Sequence, residues 1–500
     1  MTAGPPPEGE VFPLVALWSG AGMAVVTATV LASLIGFVDA SVINVAVPAI
    51  GRSLNASVTS LQWTLTSYLL AVAVLLLLAG ALADHFGRRQ VLAAGLLVML
   101  LASIGCAVAP SVGVLIAARV FQGVGAALVV PSSLSLLNGT LRDSDRARGI
   151  GVWAGLATLG TTLGPYAGGW LTDNISWRAL FLLNPPLALA GLFVLWFVPQ
   201  TDTVRRPLSL DAPGALLAAA GLGGVIYALT AGAESGWASP PVVAAGAVGV
   251  LCLVGLVLVE RRQRAPMLRL ALFASRQFDA INVATVLVYG GIYAASYLVI
   301  LQFQLRLGYS AAQAGAALIP ESVVFLVVAP ISGALVGRIG PRGLMVVGML
   351  CLAAGFTWLS AAHPGQQYVV AILPGVLLWG LGTGVFVTPL TSAVLAAVGD
   401  ADLGEAAAIN DAASRVGGVV AVALVPALIG AGGGIDIARA LSHGYQPAML
   451  VLAGLCVAAA LVSALFVSNR GVAATRLVPP ARCHSCAVPI PGPVPGPQAT

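Results

Sequence analysis

The sequence predicts an all-α, polytopic membrane protein, and three observations carry the prediction. Hydrophobic residues make up 59% of the 500 and charged residues only 8%, against about 25% charged in an average soluble domain. Apolar runs of roughly 20 residues, enough to cross a hydrocarbon core about 30 Å thick, recur between short polar joints. The basic residues, all arginine, concentrate in alternate joints.

Taken in order, an opening segment over residues 1–23 precedes the first run; its first twelve residues hold three prolines, two glutamates and no basic residue. It lacks the positive n-region of a cleavable leader, so the first helix is expected to stay in the membrane. Apolar runs place six helices over residues 24–48, 61–82, 90–109, 112–138, 150–171 and 179–198, the first bundle. Two more, 212–230 and 241–259, fall within an inserted stretch of 199–278. Six follow over 279–303, 313–336, 343–362, 370–397, 405–429 and 446–467, giving fourteen and a second bundle over 279–467. Residues 468–500 are proline-rich without apolar periodicity, which predicts a disordered cytoplasmic tail.

Cytoplasmic joints are enriched in arginine and lysine. Seventeen of the 23 arginines fall in joints on one side together with the tail, four (Arg52, Arg178, Arg306, Arg439) on the other, and Arg119 and Arg415 within helices. Both termini are therefore expected in the cytoplasm, and the protein in the inner, or plasma, membrane. The net charge of +5 is spread over these joints, so no nucleic-acid partner is expected. The absence of lysine, with 59 glycines, points to a GC-rich bacterial genome.

The chain also repeats itself. Gly80-Ala-Leu-Ala-Asp-His-Phe-Gly-Arg-Arg89 and Gly333-Ala-Leu-Val-Gly-Arg-Ile-Gly-Pro-Arg342 share five of ten positions and join equivalent pairs of helices. A glycine-rich span between Arg119 and Pro131 echoes Leu377 to Pro389. Repeats of one orientation imply two similar six-helix bundles flanking a central cavity.

Ionisable residues within spans are costly and mark candidate sites. Asp39 in the first helix and Arg119 in the fourth lie roughly 14 Å and 10 Å from the outer ends of their helices, at about 1.5 Å per residue, which are compatible depths. They read as a proton-coupling pair or as a static bridge. Glu321, directly after Pro320 and roughly 12 Å into the tenth helix, fits pairing with a cationic substrate, a second proton site, or an interhelical or headgroup bond. Arg415, one turn after Asp411, fits an anion site or neutralisation of Asp411 at four-residue spacing, and the neutral pairing is favoured. Cys106, Cys252, Cys351 and Cys456 read as inert small hydrophobes. Cys483, His484 and Cys486 do not complete a tetrahedral metal site. With no nucleotide-binding loop, metal box or large polar domain, neither cofactor nor metal is expected and the chain is not read as an enzyme; energy has to come from an ion gradient.

Four segments resemble the major facilitator superfamily, in its fourteen-helix drug:proton antiporter branch, and the resemblance covers nearly the whole membrane domain. Val38-Asp39-Ala-Ser-Val-Ile-Asn44-Val-Ala-Val-Pro48 is similar to that branch's first-helix motif, with serine at a position where threonine is common. Gly80-x-Leu82-Ala83-Asp84-x-x-Gly87-Arg88-Arg89 is similar to the gating signature, with His85 where a basic residue is usual. Arg119-x-x-Gln122-Gly123-x-Gly125 follows on the fourth helix, and Gly160-x-x-x-Gly164-Pro165-x-x-Gly168-Gly169 on the fifth resembles the motif that marks exporters.

The resemblance implies a major facilitator fold and alternating-access, proton-coupled export of drugs, antibiotics or similar amphipathic molecules. It assigns proton coupling to Asp39 and Arg119; gating to Gly80, Asp84, Gly87, Arg88 and Arg89; and a seal to Gly160, Gly164, Pro165, Gly168 and Gly169. Glu321, Asn44, Gln122 and Arg415 are the substrate-cavity candidates, in a cavity expected to be lined by Met, Phe, Trp and Tyr. The partners expected are a small-molecule substrate, protons and the lipid bilayer, with the chain a monomer. A dedicated exporter of one metabolite and a non-transporting membrane sensor or scaffold remain the alternatives.

Overall fold

The structure is a computed structural model and describes residues 14–199, 211–263, 270–399, 402–431 and 437–469. It is all helical apart from an isolated bridge between Val15 and Leu141. The helices are α1 (Gly20–Leu54), α2 (Val58–Phe86), α3 (Arg88–Ala107), α4 (Val112–Thr140), α5 (Asp143–Asn174), α6 (Asn184–Leu195, entered through a 3-10 turn over Trp177–Leu183), α7 (Ala212–Ser235) and α8 (Pro240–Glu260). They continue as α9 (Arg276–Leu305), α10 (Ala311–Ala316), α11 (Ile319–Ile339), α12 (Pro341–Leu359), α13 (Tyr368–Ala371), α14 (Leu373–Ala396), α15 (Leu403–Ile429) and α16 (Ile437–Phe466).

Every expected span has its helical counterpart. Among the described residues thirteen are long and apolar enough to cross a membrane by length and composition; α5, with 32 residues, is not one of the thirteen. The helices overrun the apolar stretches because polar residues beyond them cap the ends. Ser19, Ser57, Ser111 and Ser275 each accept a backbone N–H two or three residues into the following helix, which satisfies groups that a helix start leaves unpaired. Two readings of the sequence need correction. The tenth span is broken at residues 317–318 into α10 and α11, so Glu321 lies in the first turn of α11 and not deep inside one helix. The last helix begins at Ile437, which puts Arg439 inside α16 and not in a joint.

One pattern of neighbours occurs twice. In α1–α6, α1 packs on α5 and α6, α2 on α4, and α3 on α4 and α6; in the second set α9 packs on α15 and α16, α11 on α14, and α12 on α14 and α16. The sequence echo sits at matching corners. Gly87 (φ 98°) ends α2 and starts α3, and Gly340 (φ 78°) ends α11 and starts α12. A positive φ is inexpensive only for glycine, so each corner can turn without a linker.

The two sets meet along a seam. Near the end at which α1 finishes and α2 begins, Gln62 Nε2 donates to Val422 O at 2.8 Å and Gln304 Nε2 to Val45 O at 2.9 Å. The inserted α7 and α8 form a hairpin through the glycine contacts of Gly221, Gly224 and Gly249. Its open end, where α7 starts and α8 finishes, is tied by Asp211 Oδ1, which accepts from Gly214 N and Gln263 Nε2. One face of α7 rests on both α2 and α15, across the seam. The far side of α8 exposes Val243, Val250, Leu251, Val254 and Leu258, a surface suited to lipid.

Candidate functional site: a buried ion pair beside an aromatic cavity

Asp39 and Arg119 meet. They form an ion pair between α1 and α4 with both side chains 1% exposed. A pair so deeply withdrawn from water persists only if its remaining hydrogen-bonding capacity is met, and the neighbours meet nearly all of it. Asp39 Oδ1 accepts from Gln122 Nε2 at 3.1 Å and from Asn184 Nδ2 at 3.0 Å. Arg119 Nε donates to Thr64 O at 3.1 Å and its Nη1 also reaches Gln122 Oε1 at 2.8 Å. The guanidinium lies 4.3 Å from the centroid of the Tyr68 ring, a cation–π distance. Ser103 Oγ accepts from the amides of both Gln122 and Asn184. Cys106, read from sequence as an inert hydrophobe, donates its thiol proton to Gln122 Oε1 at 3.2 Å.

A cavity of about 510 Å3 lies on the other side of α1. Helical spacing explains the division of labour: Phe37, Ser41 and Asn44 follow one another at roughly one-turn intervals along one face and line the cavity, while Asp39 is turned to the opposite face. Trp153, Tyr289, Tyr293, Phe325 and Trp379 supply an aromatic wall, and Glu321, Asp411 and Arg415 the charge. Among the described residues no methionine lines the cavity, which differs from the expected composition.

The four cavity candidates therefore separate. Asn44, Glu321 and Arg415 line it, whereas Gln122 belongs to the buried cluster. Arg415 Nε lies 3.7 Å from Asp411 Oδ1, which agrees with the favoured neutral pairing, and its Nη1 reaches Tyr293 Oη at 3.5 Å. The Glu321 carboxylate accepts from Ser322 Oγ at 3.0 Å, and among the described residues no basic side chain pairs with it.

The glycine motif of α5 is a packing face directed at α1 and α10. A Cβ on Gly160 would fall 2.5 Å from Leu34 Cδ1, on Gly164 2.5 Å from Ser41 Oγ, and on Gly168 2.1 Å from Val42 Cγ2. One on Gly169 would fall 2.3 Å from Ala311 O, and one on Gly315, in return, 2.3 Å from Pro165 O. The α5 and α10 backbones thus touch across the seam, and Asp173 at the end of α5 accepts the backbone N–H groups of Ala311 and Ala312 at 3.2 Å and 2.8 Å.

At the loop signature, Arg88 Nη1 donates to Ser135 O at 3.0 Å and Arg89 Nη2 to Trp196 O at 3.3 Å, near the ends of α4 and α6. Cations at carbonyl-rich helix ends are favourable. A Cβ on Gly80 would meet nothing within 4 Å. Asp84 stands in α2, but its side chain lies outside the described residues, as does the cysteine–histidine cluster of the tail.

The profile of the Major Facilitator Superfamily matches residues 29–422, with a second match over 281–482. The chain belongs to the major facilitator superfamily. It is thus a multi-pass transport protein and not an enzyme, and solved transporters share the fold. A D-xylose–proton symporter superposes with a TM-score of 0.66 at 17% identity, covering 91% of this chain and 99% of that one. A peptide transporter in complex with alafosfalin gives 0.68 at 15% identity, covering 90% and 96%. Among curated relatives, the puromycin resistance protein pur8 of Streptomyces alboniger is 36% identical over 434 residues, 86% of this chain and 85% of the relative. The multidrug resistance protein Stp of Mycobacterium tuberculosis is 34% identical over 79% of this chain and 73% of the relative. The cephamycin export protein CmcT of Amycolatopsis lactamdurans is 34% identical over 92% and 95%.

Sequence reasoning missed Asn184, Ser103, Thr64 and Tyr68 in the cluster and Asp173 at the seam. Asn184 carries a signal, a polar residue followed by Pro185 and Pro186 inside an apolar run; Thr64 contributes only a backbone carbonyl, which no side-chain pattern reveals.

Proposed function

We propose that this superfamily member exports amphipathic, aromatic small molecules, antibiotics among them, in exchange for protons. It would lie in the inner membrane with both termini cytoplasmic, as the arginine asymmetry supports. The observation that carries the reading is the double duty of α1. One helix holds the carboxylate of a sealed ion pair on one face and lines an aromatic cavity with the other, so a change at Asp39 is felt by the cavity wall.

The cycle is alternating access. With the cavity open outward, Asp39 takes a proton and substrate leaves; with it open inward, Asp39 releases the proton and substrate enters. The contacts of α5 with α10 and of Gln62 and Gln304 across the seam favour a state closed at the end where α1 finishes and α2 begins. Aromatic faces bury apolar substrates without demanding one shape, and Glu321 serves as counter-ion for a cationic substrate. The gating role of Arg88 and Arg89 draws on their grip on helix ends. The names of the resistance proteins Stp and pur8 favour drug efflux; that of CmcT favours the second reading, export of one dedicated metabolite.

The test is transport of ethidium and of a neutral dye in inverted vesicles, with and without a pH gradient, for wild type and Asp39→Asn. Gradient-driven movement of both, lost in the variant, is the expected result. Undiminished gradient-driven transport by Asp39→Asn would remove the coupling role, and no movement of either dye by wild type would leave the dedicated-exporter reading.

A further inference from the structure

Asp39 is surrounded by donors. Its carboxylate receives Arg119 Nη1, Gln122 Nε2 and Asn184 Nδ2, an arrangement that satisfies the ionised form. A protonated Asp39 has the opposite need, because its own O–H requires an acceptor. Most acceptors nearby are engaged. Gln122 Oε1 takes Arg119 Nη1 and the Cys106 thiol, Ser103 Oγ takes two amides, and Thr64 O takes Arg119 Nε.

Asn184 Oδ1 is different. The residue is 1% exposed, and this oxygen is buried without a hydrogen-bond partner, a state that usually costs about 1–3 kcal/mol and calls for a reason. Which amide atom faces Asp39 is settled by chemistry, since an ionised carboxylate only accepts and the atom at 3.0 Å has to be the nitrogen. The reason the oxygen stays free is local. Asn184 opens α6 and is followed by Pro185 and Pro186, neither of which has a backbone N–H to offer its side chain.

We propose that Asn184 is the positioning residue that accommodates both protonation states of Asp39, its amide donating Nδ2–H to the carboxylate and, after a half-turn, accepting the acid O–H on Oδ1. The inference rests on Asp39 being the proton carrier. The proton stays on Asp39 and one hydrogen bond reverses direction; no covalent bond beyond the Asp39 O–H is made. The groups facing Asp39 from the elements around it are Arg119 on α4, Tyr68 on α2, Cys106 on α3 and Asn184 on α6, while α5 meets α1 through Gly160, Gly164 and Gly168.

The experiment is the pH profile of gradient-driven ethidium transport in inverted vesicles for wild type, Asn184→Leu, Asn184→Asp and Asp39→Asn. Leucine offers the acid form no acceptor while Arg119 and Gln122 still hold the ionised form, so its midpoint is expected to move toward acid by about one pH unit. Aspartate, nearly isosteric, accepts in either state and adds a charge that favours a shared proton, so its midpoint is expected to move toward alkaline by about as much. If Asn184→Leu does not fold, the aspartate variant carries the test alone. Midpoints equal to wild type with only the maximal rate changed would make Asn184 merely structural and overturn the inference. Undiminished gradient-driven transport by Asp39→Asn would instead overturn the assignment of Asp39 itself.

Discussion

The Asp173 carboxylate accepts the backbone N–H of Ala312 at 2.8 Å, tying the last turn of α5 to the first turn of α10 across the seam. Asp173→Ala removes this bond and the one from Ala311. At an exposed site the loss is about 0.5–1.5 kcal/mol, enough to shift the balance toward opening at that end. A cysteine placed at the buried Ala311 is expected to react several-fold faster with a soluble thiol reagent when Asp173→Ala is added. An unchanged rate would mean the carboxylate does not hold the seam.

The glycines of α5 are not equivalent. Alanine at 169 pushes against the Ala311 carbonyl, which is backbone, whereas alanine at 164 meets the Ser41 hydroxyl, which rotates away. Gly169→Ala is expected to cost about 1–3 kcal/mol through overpacking and Gly164→Ala less than about 1 kcal/mol. Thermal unfolding of the two purified variants compares them; equal destabilisation would refute the backbone contact as the distinguishing constraint.

Removing one partner of a buried pair is worse than neutralising it. Arg119→Ala leaves Asp39 charged and uncompensated, an effect of about 3–5 kcal/mol. Asp39→Asn leaves Arg119 bonded to Thr64 O and Gln122 Oε1 and stacked on Tyr68, and is expected to cost less. A lower melting temperature for Asp39→Asn than for Arg119→Ala would contradict the geometry.

Glu321 should discriminate by charge. In Glu321→Gln the cavity keeps its shape and loses its counter-ion, so ethidium transport is expected to weaken by about 10- to 100-fold, the equivalent of a charged hydrogen bond of about 1.5–3 kcal/mol. A neutral dye should be little affected. Equal loss of both would assign Glu321 to the transport cycle and not to recognition.

The spans were legible because lipid imposes one requirement on about 20 consecutive residues, and the Asp39–Arg119 pair because charge in an apolar run stands out. The break at residues 317–318 was not, since Ala316 to Ile319 across it are as apolar as a continuous helix and Pro320 is compatible with a helix start. The face that each residue presents was only partly legible. Gln122 on α4 and Asn44 on α1 carry the same amide group, yet packing sends the first to the ion pair and the second to the cavity. Asn184 and Asp173 act across long stretches of chain, on Asp39 and Ala312, and such pairings exist only once the helices are assembled.

The Asp39–Arg119 pair has an electrical consequence. In its ionised form the cluster carries no net charge; once Asp39 binds a proton it carries that of Arg119 alone. A unit charge crossing the whole membrane field gains about 2.3 kcal/mol per 100 mV, so a negative interior draws the protonated form inward. Under the proposed exchange of one proton per molecule, expelling a neutral compound would move one positive charge into the cell each cycle and would be accelerated by voltage. Expelling a monovalent cation would then move none, and that traffic would respond to the pH difference alone.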